Sequence, residues 1–146
     1  MPTHAEIRRV AHTPEQMFEL VADVGKYPEF LPWCVAARVT RRDSEKIFAE
    51  LVIGYKMFRE RFTSTVTLDR PGRIDVAYFE GPFKYLNNHW IFRPLADGGT
   101  EIDFFVDFEF RSRFLQRVIG LVFNEAVRIM VRAFEKRADA VHGKGK

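Results

Sequence analysis

The strongest constraint in this sequence is a change of hydrophobic period at residue 111. After it, apolar residues recur at helical spacing over residues 112–141, and Ser112 is placed to cap that helix. Before it, apolar and polar side chains alternate in six segments, a pattern typical of antiparallel strands with one buried and one exposed face. The six segments are residues 35–40, 47–53, 58–68, 74–78, 86–93 and 101–110. The sequence therefore predicts a sheet followed by one long helix.

The N-terminal residues add one strand and one short helix. Residues 3–12 have strand character, and Thr13 followed by Gln16 forms a capping box that predicts a helix start. Apolar residues recur at helical spacing as far as Val24, and Gly25 ends the predicted helix.

Two prolines mark the connection from this helix to the sheet. Pro28 and Pro32 disfavour helical backbone in the residue before each of them. We therefore expect residues 26–33 to form a turn that encloses one short helical turn. The whole chain is predicted to be one α+β domain over residues 1–142, followed by a disordered tail at residues 143–146.

The long helix is more apolar than packing on a sheet requires. Its apolar arc covers about 220° of the circumference, whereas a surface helix needs somewhat more than about 100°. Part of this arc packs on the sheet. The remainder faces a ligand, a partner chain, a membrane, or covering loops.

Aromatic residues make up 14% of the chain, and most of them fall on the apolar phase of the strands. If the sheet curls around the long helix, these rings either fill the core or line a ligand cavity. Glu60 and Asn88 fall on the same phase, where they could hydrogen-bond a carbonyl or hydroxyl of a ligand. Alternatively, Glu60 lies at a strand end or pairs with an arginine, because an unpaired buried carboxylate is unfavourable. The inward aromatic set is Phe58, Phe62, Tyr78, Trp90, Phe92, Phe104 and Phe108.

The sequence offers few groups for catalysis or metal binding. Its four His are scattered without a metal-ligand spacing, and it contains no nucleophile-elbow or phosphate-binding glycine motif. The single cysteine, Cys34, excludes an internal disulfide and is interpreted as a packed thiol. We predict a protein that is not an enzyme and that binds no metal.

Positive charge is concentrated at the C-terminal end. The chain has a net charge of +3, but residues 111–146 contain nine Lys or Arg and three acidic residues, a local charge of +6. This excess favours a polyanionic partner, either anionic lipid headgroups or RNA, although a solvated helix face would carry the same charge. DNA is not an expected partner.

The chain start has neither the basic nor the apolar region of a signal peptide. No segment approaches the roughly 20 apolar residues that span a bilayer. The predicted location is the cytoplasm, with peripheral attachment to the inner membrane as the alternative.

Three motifs resemble those of a known family. They are Phe18-Glu19-Leu20-Val21-Ala22-Asp23-Val24, then Tyr27-Pro28-Glu29-Phe30-Leu31-Pro32-Trp33-Cys34, then Gly81-Pro82-Phe83-Lys84-Tyr85-Leu86-Asn87-Asn88 with Trp90 and Phe92. Together with the order of the predicted elements, they closely resemble the coenzyme Q-binding branch of the START-like superfamily of polyketide cyclases, dehydrases and lipid-transport proteins. That branch includes the mitochondrial coenzyme Q chaperone and the bacterial ribosome-association toxin. Its fold is the helix-grip fold, a curved antiparallel sheet wrapped around a long C-terminal helix.

The resemblance implies a non-catalytic protein that holds a polyprenyl quinone, expected to be ubiquinone, and supports respiratory electron transport. No other cofactor is implied. The first alternative is a toxin-like protein that binds the large ribosomal subunit and blocks subunit association. The second is an enzyme of the cyclase or dehydrase kind. The expected ligand-binding residues are Trp33, Phe58, Glu60, Phe62, Tyr78, Phe83, Asn88, Trp90, Phe92, Phe104, Phe108, Phe123 and Met130.

Delivery of a water-insoluble quinone would require transient contact with an anionic membrane surface. Residues 81–86 place Phe83, Lys84 and Tyr85 in a Gly-Pro loop, a composition suited to a cavity rim that enters the membrane interface. The alternative is that Phe83 and Tyr85 pack inward.

Overall fold

The computed structural model describes residues 3–31, 33–55 and 58–143, and for Tyr55, Phe58 and Val122 it describes the backbone alone. The elements in chain order are β1 (Thr3–Val10), α1 (Pro14–Ala22), a 3-10 helix (Val24–Glu29), β2 (Cys34–Arg42), β3 (Lys46–Tyr55), β4 (Phe58–Asp69), β5 (Arg73–Glu80), β6 (Phe83–Pro94), β7 (Thr100–Phe110) and α2 (Arg113–His142). The predicted tail lies outside the described residues, apart from Gly143.

The seven strands form one antiparallel sheet in the order β1-β7-β6-β5-β4-β3-β2. Strands β2 to β7 are a meander, and β1 pairs with β7 at the edge of the sheet. The sheet curves around α2. The predicted α+β class and helix-grip architecture are confirmed.

The start of α1 is capped as the sequence predicts, but its end differs. Thr13 accepts a hydrogen bond from the Gln16 backbone N–H at 3.1 Å, and the Gln16 side chain accepts one from Thr13 N–H at 3.0 Å. The helix ends at Ala22 rather than at Gly25, because Asp23 leaves the helical region with ψ at 66°. The expected short helical turn is the 3-10 helix that follows.

Two polar contacts hold α2 against the edge strand β1 and the residues just after it. Arg8 lies 2.8 Å from the Glu135 carboxylate, and the buried His12 ring lies 2.7 Å from that of Asp139. Ser112 accepts a hydrogen bond from Leu115 N–H at 3.2 Å, which confirms the predicted cap of the helix.

A third contact holds the opposite side of the same helix. Arg137 donates a hydrogen bond of 2.6 Å to Glu29 in the 3-10 helix, and its guanidinium lies 5.0 Å from the centre of the Phe30 ring. The hydrogen bond from Arg137 holds the pKa of the Glu29 carboxyl below its ordinary value. The C-terminal half of α2 is therefore fixed from both sides.

An aromatic cluster lies beneath these contacts. The Phe134 ring is 5.0 Å from the Trp90 ring, 5.1 Å from Phe30 and 5.3 Å from Tyr27, in each case edge to face. Such pairs add about 0.5–1.5 kcal/mol each beyond the burial of their area. Phe134 therefore joins α2, the 3-10 helix and the sheet.

The segment predicted as a rim loop belongs mainly to a strand. β6 begins at Phe83, whose side chain is 3% exposed and stacks on Phe110 with ring centres 4.7 Å apart. Only Gly81 and Pro82 form the turn. Gly81 has φ of +150°, and a Cβ there would lie 2.5 Å from the Phe62 Cβ, so this position requires glycine. The inward alternative is confirmed for Phe83, whose ring is buried, and contact of this segment with a membrane stays a prediction.

Truncation of Phe134 tests whether its ring is a main contributor to the stability of the fold. We expect Phe134→Ala to lower the free energy of unfolding by about 3–5 kcal/mol, the usual loss for a buried ring. Urea denaturation measures this. Leu121→Ala, on the same helix but at an 85% exposed side chain, is the matched control and should change stability by less than about 0.5 kcal/mol. Equal effects would contradict the assignment.

Candidate ligand cavity

A cavity of about 300 Å³ lies between the inner face of the sheet and α2. Strands β3 to β7 supply most of its wall, and residues from Leu115 to Phe134 of α2 supply its cover. Residues of α1, the 3-10 helix and the segment after it close one end through Val21, Tyr27 and Leu31. The cavity is partly open to solvent at a rim, and several lining residues, such as Ile53 and Met130, are only half buried.

Ten of the thirteen predicted ligand-binding residues line this cavity. They are Trp33, Glu60, Phe62, Phe83, Asn88, Trp90, Phe104, Phe108, Phe123 and Met130. They come from the segment before β2, from the three strands β4, β6 and β7, and from α2. The prediction for Phe58 concerns a side chain outside the described ones.

Tyr78 and Phe92 lie outside the lining of this cavity, so their assignment to the ligand site stays a prediction. Both are on the inner face, but neighbouring side chains cover them. The Tyr78 hydroxyl accepts a hydrogen bond from Phe83 N–H at 3.1 Å, and the Phe83 ring lies against it. Phe92 packs between Phe18, at a centroid distance of 6.0 Å, and Trp90, at 6.2 Å.

Polar groups in the lining are few. Asn88 donates from Nδ2 to the Phe105 carbonyl at 2.8 Å, which fixes the orientation of its amide. Glu60 is half buried and lies near the beginning of β4, as the strand-end interpretation predicted. Ser64 is 3% exposed, and its hydroxyl has no hydrogen-bond partner among the described residues.

Burial keeps the thiol and phenol in the lining neutral. It raises the pKa of Cys34 to about 11. It also raises the pKa of Tyr27, whose hydroxyl donates to the Val21 carbonyl; repulsion from Cys34 and Asp23 adds to this shift. Neither group is a base at neutral pH. Cys34 is a buried thiol, as its sequence context indicated.

Sequence reasoning missed several lining residues. Ser64 carries a detectable signal, because it is a hydroxyl on the apolar phase between Phe62 and Val66. Tyr27 and Leu31 carry none in the strand pattern, since they come from irregular backbone that only the folded chain brings to the sheet.

Comparison with known proteins places the chain in a family. Residues 10–135 match the family described as Polyketide cyclase / dehydrase and lipid transport. The chain belongs to this family. A START superfamily protein from Mycobacterium smegmatis shares its fold, with a TM-score of 0.81 over 95% of this chain and 98% of that chain, at 17% sequence identity.

Two curated relatives in this family carry different names. Ribosome association toxin RatA from Rickettsia prowazekii (strain Madrid E) is 40% identical over 134 residues, covering 89% of this chain and 91% of that protein. Coenzyme Q-binding protein COQ10 homolog B, mitochondrial, from Xenopus laevis is 32% identical over 145 residues, covering 97% of this chain and 59% of that protein. The two names describe a toxin and a binding protein rather than an enzyme.

None of the helices in the described ranges has the length and hydropathy needed to cross a bilayer. In the same ranges, no three His, Cys, Asp or Glu side chains are grouped so that they could hold a metal ion.

The raised pKa of Cys34 predicts slow reaction with thiol reagents. At pH 8 the thiolate fraction should be about two hundredfold below that of an ordinary cysteine, whose pKa is about 8.5. Because Cys34 is the single cysteine, its alkylation by iodoacetamide reports on this site alone. The native rate should increase with pH up to about pH 11. The protein unfolded in urea is the control, and equal rates in the two states would contradict the prediction.

Proposed function

We propose that this protein binds a polyprenyl quinone, with ubiquinone as the first candidate, and holds it without chemical change in support of respiratory electron transport. The supporting observation is the apolar cavity between the sheet and α2, lined by aromatic rings and only a few polar groups. The name of the Xenopus relative as a coenzyme Q-binding protein favours the same ligand.

The size of the cavity limits which part of the ligand it encloses. About 300 Å³ is at the lower end of the range for small-molecule sites. The quinone ring and the first isoprene units would fill it, and the rest of the tail would leave at the rim. Apolar burial contributes about 25 cal/mol per Å² to such binding.

The ionisable groups support binding rather than catalysis. Among the described lining residues these groups are Tyr27, Cys34 and Glu60. The phenol and thiol are neutral at pH 7. Glu60 therefore has no second acid or base beside it in the described lining, whereas general acid–base chemistry commonly needs two groups with separated pKa values.

Filling the cavity should abolish quinone binding without unfolding the protein. Val76 is half buried and lines the cavity on β5, so Val76→Phe places a ring where the ligand would lie. We expect its affinity for decylubiquinone to fall by about tenfold or more. Quenching of tryptophan fluorescence measures this, because both tryptophans of the chain, Trp33 and Trp90, line the cavity.

The neighbouring residue provides the matched control. Ala77 is exposed on the other face of β5, so Ala77→Phe adds the same ring outside the cavity and should leave the affinity unchanged. Mass spectrometry of a solvent extract should find a quinone with the wild-type and Ala77→Phe proteins, and much less with Val76→Phe. Wild-type protein that binds no quinone by either method would refute the proposal.

A second candidate function is binding to the large ribosomal subunit. The observation that favours it is the name of the Rickettsia relative, together with a row of exposed basic residues on α2. We call this row the basic stripe: Arg113, Arg117, Arg128, Arg132 and Lys136. At 100° per residue the stripe spans about 140° of the helix and lies opposite the cavity-lining face. It could contact RNA phosphates, or the anionic headgroups of an inner membrane, while the cavity is occupied.

Charge reversal in the basic stripe should separate the two functions. We expect Arg113→Glu, Arg117→Glu and Arg132→Glu in combination to abolish co-sedimentation with large ribosomal subunits while leaving quinone affinity unchanged. Wild-type binding should weaken steeply with salt, since it releases counterions from phosphate.

The control carries the same change in net charge elsewhere. Arg41→Glu, Arg42→Glu and Lys46→Glu reverse three exposed charges around the β2–β3 turn and should not affect sedimentation. Wild-type protein that ignores the subunits but sediments with anionic vesicles would instead identify a membrane surface as the partner and support a peripheral location.

A further inference from the structure

Ser64 is the one lining residue whose polar group is both fully buried and without a partner in the described part of the chain. Its side chain is 3% exposed, and its Oγ makes no hydrogen bond to any described group. A buried hydroxyl in this situation destabilises a protein and is rarely retained without a role. On the neighbouring strands, Ser64 pairs in register with Ala49 and Tyr78. Ala49 has no polar side-chain atom, and the Tyr78 hydroxyl already accepts a hydrogen bond from Phe83 N–H.

Asn88 supplies a second donor on the same face. One hydrogen of its Nδ2 bonds the Phe105 carbonyl at 2.8 Å, which leaves the other amide hydrogen without a described partner. In the sheet register, Asn88 pairs with Val76, and Val76 pairs with Val66, two residues along β4 from Ser64. Two strand spacings and a two-residue offset separate the Cα atoms of Ser64 and Asn88 by about 11–12 Å.

We propose that the Ser64 hydroxyl and the free amide hydrogen of Asn88 bind the two opposed carbonyl oxygens of a quinone ring in the middle of the cavity. This inference rests on the proposed function and deepens it by fixing the position of the head group. A quinone ring, whose opposed oxygens lie about 5 Å apart, spans about 11 Å with a hydrogen bond of about 2.8 Å at each end, which is close to the Cα separation of the two residues. The tail then points to the rim.

Hydrogen-bond chemistry favours Ser64 and Asn88 over Glu60 as the groups that bind the carbonyl oxygens. A carboxylate is an acceptor only and gives no hydrogen bond to a carbonyl oxygen. Ser64 and Asn88 both have a hydrogen to donate. Glu60 is also half buried near the start of β4, whereas Ser64 lies four residues further along the strand, beneath α2.

Removal of the Ser64 hydroxyl tests the assignment by two opposite effects. Ser64→Ala should lower the affinity for decylubiquinone about tenfold, which is about 1.4 kcal/mol. It should leave the affinity for decylbenzene unchanged, because that probe has the same tail and no carbonyl oxygens. The ligand-free variant should melt about 2–4 °C above the wild type, since an unpaired buried hydroxyl has been removed. Isothermal titration calorimetry and differential scanning calorimetry measure the two effects.

The adjacent residue is a matched control. Thr63 also has a buried hydroxyl without a described partner, but it lies on the other face of β4. Thr63→Val should raise the melting temperature in the same way and leave the decylubiquinone affinity unchanged. Ser64→Thr keeps a hydroxyl at the site and should retain most of the affinity.

The outcomes separate this inference from the proposed function. If the wild type binds decylubiquinone and Ser64→Ala binds it equally well, the head-group assignment is wrong and the quinone proposal stands. If the wild type binds neither decylubiquinone nor a naphthoquinone with the same tail, both are wrong. Tighter binding of one of the two rings identifies the quinone class. A lower affinity of Ser64→Ala for that ring supports the assignment of Ser64 as a hydrogen-bond donor to it.

Discussion

The packing of Phe134 against the sheet and the 3-10 helix is the interaction on which the rest of the structure depends. The ring contacts Trp90, Phe30 and Tyr27, and it is 1% exposed. Polar contacts on both sides of the helix oppose rotation about this point: Arg8–Glu135 and His12–Asp139 on the β1 side, and Arg137–Glu29 on the other. The last three turns of α2 therefore have a fixed position over the sheet.

The cavity begins next to this attachment, and Phe134 is part of its lining. Toward its N-terminus α2 continues over the inner face of the sheet, where Ile119, Ala126 and Met130 line the open space and are only half buried. The same helix has two separate faces, because the basic stripe lies opposite the cavity. A protein with this arrangement can hold an apolar ligand and contact a polyanion at once. The different names of the two relatives are therefore compatible with one architecture.

The sequence predicts which face each strand residue occupies, but not how deeply it lies. Alternation correctly assigns Tyr78 and Phe92 to the inner face, yet both are covered by neighbours that only the folded chain brings together: Phe83 on β6 and Phe18 on α1 respectively. The length of a turn is equally hard to predict from the sequence. Gly81 and Pro82 indicate a loop, but nothing in the local sequence shows that β6 already begins at Phe83. Local chemistry predicts the caps at Thr13 and Ser112 because both ends of each hydrogen bond lie within three residues.

The electrostatic character of the lining determines which lipids suit the cavity. Burial keeps the Cys34 thiol and the Tyr27 phenol neutral, so neither could balance a ligand charge at pH 7. The one carboxyl group in the described lining, Glu60, would repel an anionic head. A fatty acid bound with its carboxylate inside the cavity would therefore bury an uncompensated negative charge, which is strongly unfavourable in an apolar site. A neutral ring with carbonyl acceptors avoids this penalty and gives the Ser64 hydroxyl and the second amide hydrogen of Asn88 acceptors that the described residues do not supply.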